Sequence, residues 1–325
     1  MDYLLVRGRA GALAILAAAA LTTAAPAFAA DPPKREWPTH LRHGYVDMRY
    51  GQLHYAIAEP AGGSTKEPIV LLHQSPNSSV EYDALTAELG KDRLVIAIDT
   101  PGHGGSDGPM TQPTIEDYAA AVAEGLTNLG FGANKPVAIF GNHTGSRIGT
   151  ELALTHPEMI SHVMLGLSPY ALIDDKLSAK LLTEVHHPTS GADLFATFCP
   201  SVPRRISQTD MTAMADPVWA KIAVESLRGI TRQEYGHAAA YEYGPRFKTR
   251  LLGLTQPVLL LVIDDPIDAS VYQSDKTAAD MSNTLKPQLT KAKRVEIFNN
   301  GFHNDVFFGR PAEIAAGFGA FVDKN

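Results

Sequence analysis

Three histidines follow short apolar runs in this sequence: His73 after "PIVLL", His143 inside "VAIFGNHTGSRIG", and His303 in "GFHND". Asp264, Asp265 and Asp268 follow a fourth run, "PVLLLV". Imidazole is the side chain that exchanges protons near neutral pH, and a carboxylate beside it fixes its tautomer and supports its cationic form. His143 also sits in a tight glycine frame, with Gly141 and Gly145 two residues to either side. At such a turn an imidazole has three chemistries open to it. It can attack a carbonyl as a neutral nucleophile, with a second histidine managing the proton. It can act as a general base or acid without a covalent intermediate. It can join His73 and His303 around a divalent metal, although no local ligand spacing supports that arrangement.

These residues need a scaffold that brings distant strand ends together. "GYVDMRYGQLHYAIAEP" alternates apolar and polar residues about Tyr50-Gly51, which predicts an antiparallel hairpin. Buried strand runs and amphipathic helices then alternate. Strands are expected near 69–72, 93–100, 136–142, 162–168, 257–264 and 293–300. The helices between them include "TIEDYAAAVAEGLTNLG", opened by a Thr-x-x-Asp cap. This order predicts an α/β fold: a mostly parallel sheet of about eight strands, helices on both faces, and ligands at the C-terminal strand ends. Residues 170–252 carry helical patterns without a buried strand and read as a helical cap inserted into a core of 44–169 and 253–325.

The 325 residues and 45% hydrophobic content suffice for one large core. Residues 1–29 read as a secretory signal peptide: a weakly basic start, an apolar run and "AFA" before a cleavage point after Ala29, with 30–43 as linker. The expected mature chain is periplasmic or secreted, with no membrane association after cleavage. It holds 26 basic and 34 acidic residues, a formal charge of −8. Without a basic cluster, that balance argues against nucleic acid as a partner and leaves a small-molecule substrate. Cys199 is the single cysteine, so internal disulfides and cysteine-built metal sites are excluded.

In order and spacing, "LLHQSP", "IAIDTPGHGGSD", "GNHTGS", "PVLLLVIDDP" and "GFHNDVFFGRPAEIAAGFGAFV" resemble the α/β-hydrolase fold superfamily over roughly 44–323. The similar branch includes carbon–carbon bond hydrolases, esterases, epoxide hydrolases and dehalogenases. The resemblance places His143 where that family carries its nucleophile, usually serine. It implies Asp265 as the triad acid, with Asp264 and Asp268 as near alternatives, and His303 as the triad histidine. It implies an oxyanion hole from the amides of Ser75 and Thr144. Gln74, His73 and Asn142 are the expected substrate-contacting residues. No metal and no cofactor are expected. Ser75 and Ser146 are the substitute hydroxyls, Ser146 being turned from the tip. The activity implied is hydrolysis of a small organic ester, lactone or activated carbonyl compound. The alternatives are lyase, decarboxylase or cofactor-free oxygenase chemistry on the same scaffold, or ligand binding without catalysis. Aromatic residues of the cap, among them Phe195, Phe198, Trp219, Tyr235, Tyr241 and Tyr243, divide between packing and pocket lining.

Overall fold

The computed structural model describes residues 41–166, 172–185, 235–303 and 306–324, with isolated positions from 190 to 229. The expected signal peptide, the linker up to residue 40, and the cap positions Phe195, Phe198, Cys199 and Trp219 lie outside the described residues.

A hairpin of β1 (Arg42–Met48) and β2 (Gly51–Ala58) opens the sheet as the alternation predicts, turning at Arg49-Tyr50 with Met48 paired to Gly51. Gly51 has φ of 120°, a conformation that suits a residue without Cβ. Next come β3 (Ile69–Leu72), α1 (Asp83–Leu89), β4 (Val95–Ile98), α2 (Ile115–Asn128), β5 (Val137–Asn142), α3 (Thr144–Thr155) and β6 (Ile160–Gly166). The sheet order is β1-β2-β4-β3-β5-β6-β7-β8, with β7 at Val258–Asp264 and β8 at Val295–His303. Pairings from β4 to β8 are parallel, and β1 and β2 add the antiparallel edge.

Every residue of β3, β4 and β5 is buried, as continuous apolar runs covered on both faces require. Thr114 and Asp117 close the expected capping box on α2. Of the expected cap, α4 (Asp175–Glu184) and α5 (Tyr235–Leu251) are described. Buried Glu151 of α3 fixes α5 in place, accepting from Tyr243 Oη at 2.6 Å and from Arg250 Nε at 2.9 Å and Nη2 at 2.5 Å. After β7 a short helix absent from the sequence reading, α6 (Pro266–Val271), precedes α7 (Ala278–Leu285). Helices α8 (Val306–Gly309) and α9 (Pro311–Val322) end the chain. Among the described residues no helix is long and apolar enough to cross a membrane.

Candidate active site

The strand-to-helix turn between β5 and α3 is tight enough to dictate its own composition. A Cβ on Gly141 would fall on the Gly145 carbonyl, and a Cβ on Gly145 would fall on the Leu72 carbonyl of β3. Both positions therefore exclude every larger side chain. His143 stands at the tip with φ of 48° and ψ of −114°, a conformation that costs a non-glycine residue about 1–3 kcal/mol. The ring is held at the end of the sheet, beside the loop that leaves β3.

Its partner is Asp268, whose Oδ2 lies 2.6 Å from His143 Nε2, with both side chains largely enclosed. Asp265, the expected acid, occupies the residue before α6. Its carbonyl accepts from the Ala269 amide at 3.0 Å, and its Oδ1 lies 3.4 Å from the Asp268 amide. Pro266 follows at the first helical position, where its missing N–H is harmless. Asp265 thus caps the helix that presents Asp268, three residues on, to the ring. Burial pulls the His143 pKa down, but the Asp268 carboxylate outweighs it, aided by Asp265, and the net shift is upward. We assign the ring proton to Nε2, the nitrogen that faces Asp268. Nδ1 is left as the basic atom, with no hydrogen-bond partner among the described residues.

His303 ends β8, paired in register with Asp264, and its side chain is exposed. Among the described residues no hydrogen bond, ion pair or ring contact joins it to His143. The carboxylate–imidazole pair at this strand end is therefore His143–Asp268, where the family pattern had implied His303–Asp265.

The loop after β3 lies against the elbow. Ser75 precedes a cis peptide to Pro76, and the Asn77 amide donates back to the Gln74 carbonyl at 3.0 Å. The amides of Ser75 and Thr144 donate to no acceptor among the described residues. His73 is buried with both ring nitrogens engaged: Nδ1 donates to the Gln74 carbonyl at 2.8 Å, and Nε2 accepts from the Thr100 amide at 2.9 Å. The substrate contact expected of His73 gives way to scaffolding of the loop. Thr100 Oγ1 links His73 to His103 at 3.1 Å on each side, and His103 Nε2 lies 3.3 Å from Ser75 Oγ. Burial, joined by the neighbouring His73, pushes His103 down to about 3, so it is neutral; with Nδ1 donating toward the Pro101 carbonyl at 3.3 Å, its Nε2 accepts a hydrogen bond from the Ser75 hydroxyl.

Asn142 points to Glu81, its Nδ2 lying 3.3 Å from Oε1. Glu81 Oε2 takes the Gln74 amide at 3.3 Å and Asn77 Nδ2 at 3.2 Å. One buried carboxylate thus ties the loop after β3 to the elbow. Burial pushes Glu81 up to about 7, although these hydrogen bonds favour its ionised form. Sequence reasoning missed Glu81 because it lies in a run patterned as an ordinary amphipathic helix. Among the described residues no cluster of three or more histidine, cysteine, aspartate or glutamate side chains is placed to hold a metal ion.

Comparison with known proteins agrees with this architecture. The chain is 28% identical over 135 residues to epoxide hydrolase 3 of Xenopus tropicalis, a match covering 40% of this chain and 35% of that protein. It is 31% identical over 126 residues to a proline iminopeptidase of Heyndrickxia coagulans, covering 38% and 42% respectively. The chain therefore aligns with well under half of either relative. An enol-lactonase from Burkholderia xenovorans superposes with a TM-score of 0.63 at 19% identity, over 86% of this chain and all of that one. An esterase from Thermogutta terrifontis gives 0.60 at 16% identity, over 85% and 96%. The family model described as alpha/beta hydrolase fold matches residues 67–310, and the chain belongs to that family.

Proposed function

We propose that this protein is an exported, cofactor-independent hydrolase of a small organic ester, lactone or activated carbonyl compound, with His143 as its catalytic imidazole. The observation that carries the reading is the 2.6 Å approach of His143 Nε2 to Asp268 Oδ2 at a strained elbow tip. That contact leaves Nδ1 as the atom that takes a proton. Nδ1 adjoins the ring's attachment to the backbone, where an incoming acyl group is more crowded than a water molecule. General-base activation of water is accordingly favoured over direct attack by the ring.

In this mechanism the substrate carbonyl oxygen faces the amides of Ser75 and Thr144. His143 Nδ1 accepts a proton as water oxygen bonds to the carbonyl carbon, and the resulting imidazolium is held by Asp268. The carbonyl π electrons move to oxygen, where the two amides stabilise the charge. Collapse of the tetrahedral species breaks the bond to the leaving oxygen, which recovers the proton from His143. No covalent intermediate forms, and the ring ends as it began.

Short-chain aryl esters and lactones assayed with wild type, His143→Ala, His143→Ser and His303→Ala test the reading. Loss of about 10²–10⁴-fold in kcat/KM in His143→Ala is expected, the range typical of a general base, with His303→Ala near wild type. Full activity in His143→Ala would overturn it. Trapping of an acyl-enzyme by hydroxylamine would replace water activation with nucleophilic attack. Export rests on the character of residues 1–29. A secreted or periplasmic product beginning at Ala30 is the expected result of sequencing its N-terminus.

A further inference from the structure

Arg147 is one helical turn beyond His143 on α3, and none of its surface is exposed. Among the described residues its Nε and Nη2 have no hydrogen-bond partner. Those two atoms form one edge of the guanidinium, and this chain shows repeatedly what that edge takes. Arg49 places Nε and Nη2 on Glu124 at 3.0 and 2.8 Å. Arg250 places them on Glu151 at 2.9 and 2.5 Å, and Arg310 on Glu313 at 2.8 and 2.5 Å. Arg250 and Arg310 grip their carboxylates through two parallel hydrogen bonds, one to each oxygen, and Arg49 sets both donors on the single oxygen Oε1.

The surroundings of Arg147 hold it without filling that edge. The Phe247 ring of α5 lies 5.3 Å from its Cζ, a cation–π contact that covers a face of the guanidinium. Tyr272, just after α6, stands close enough for the arginine to act on its hydroxyl. The Arg147 charge also acts on His143. A buried cation with an unsatisfied fork is costly in a protein interior, and a buried guanidinium ordinarily sits against a carboxylate. Asp268, which like Arg147 acts on Tyr272, stands 2.6 Å from His143 instead.

We infer that the free Nε/Nη2 edge of Arg147 anchors a carboxylate of the substrate, so that the enzyme acts on short organic acids. This rests on the hydrolase reading above and narrows its substrate class. His143 precedes α3 in a non-helical conformation, and Arg147 lies about one turn of ~5.4 Å beyond it, near enough for their charges to interact. A carboxylate on Arg147 therefore sets the reacting carbonyl within a few atoms of it, at the His143 ring.

Calorimetric titration tests the anchor without turnover. Butyrate and phenylacetate, with butyramide and phenylacetamide as neutral matches, are titrated into wild type, Arg147→Met, Arg147→Lys and His143→Ala, each checked for folding by circular dichroism. Wild type is expected to bind the acids at least tenfold more tightly than the amides. Arg147→Met should lose that preference. Arg147→Lys keeps the charge without the fork and should lose most of it, so the test stands even if the methionine variant does not fold. His143→Ala should keep the acid preference while losing ester turnover, which separates failure of the anchor from failure of the catalytic assignment. Equal binding of acids and amides, no binding of either, or an undiminished preference in both Arg147 variants would overturn the inference; a buried water would then be the occupant of the fork.

Discussion

Nε2 of His143 and Oδ2 of Asp268 stand 2.6 Å apart, and this contact fixes which face of the ring is basic. Asp268→Asn removes the charge that holds the His143 pKa up against burial. The rise of activity with pH, which follows deprotonation of His143, should then shift to lower pH, and kcat should fall by about 10²-fold or more. Asp265→Asn should behave differently, because its nearer duty is to cap α6: a loss of about 1 kcal/mol or less in stability and a smaller change in rate. A pH–rate profile of both variants checks this. Equal profiles would mean that the two carboxylates share the role.

The glycine frame of the elbow makes a steric prediction. Gly145→Ala would drive a methyl group into the Leu72 carbonyl, whereas the same change at Gly149, one turn on, meets Ile139 side-chain atoms at 3.8–3.9 Å, ordinary contact. Gly149→Ala should therefore stabilise by about 0.5–1 kcal/mol, the usual gain from replacing glycine inside a helix. Gly145→Ala should lower Tm and solubility, because the backbone of β3 cannot give way as a flexible side chain would. Thermal melts of the two variants decide it.

The elbow was legible in the sequence for this reason: the two glycines report a backbone approach that only they permit. The sheet was legible because doubly covered strands must be apolar throughout, as β3, β4 and β5 are. Choosing among Asp264, Asp265 and Asp268 needed the path of the chain after β7, since Asp265 caps a six-residue helix and only then does Asp268 reach the ring. Arg147 and Glu81 were hidden for a related reason. A charged residue in an amphipathic helix reads as solvent-facing until α5 or the β3 loop is seen to cover it. The side-chain position of His303 depends on register at the end of β8, where the pairing with β7 shifts after Leu261.

Glu81 should leave a signature in stability. Its carboxyl ionises near 7 in the folded protein, against an ordinary 4.5. Between those values the native state holds a proton that the unfolded chain has released. Its contribution is therefore full below about 4.5 and is lost as pH rises through about 7, a change of about 3 kcal/mol. Glu81→Gln removes the titration, so the stability of wild type relative to the variant should grow as pH falls from 7 to 4.5. Urea midpoints across that range measure the difference. A constant gap would show that Glu81 ionises normally.

His103 acts with the opposite sign over an overlapping window. The folded protein resists its protonation down to about 3, whereas the unfolded chain accepts a proton near 6.5. Its contribution is full above 6.5 and disappears as pH falls toward 3, by about 5 kcal/mol. Buried His73, also pushed down by burial, adds to the same loss. Between 6.5 and 4.5 the Glu81 gain offsets the loss from one histidine, which predicts a shallower wild-type profile there than in Glu81→Gln and steeper acid destabilisation below 4.5. Glu81→Gln should expose the histidine slope at once, beginning near 6.5. His103→Gln retains an acceptor for Ser75 and a donor for Thr100, and it should flatten the acid limb by up to one proton. If His103→Gln unfolds with the wild-type pH dependence, His103 is already protonated in the folded protein, and the Ser75–His103–Thr100–His73 chain must run in the other direction.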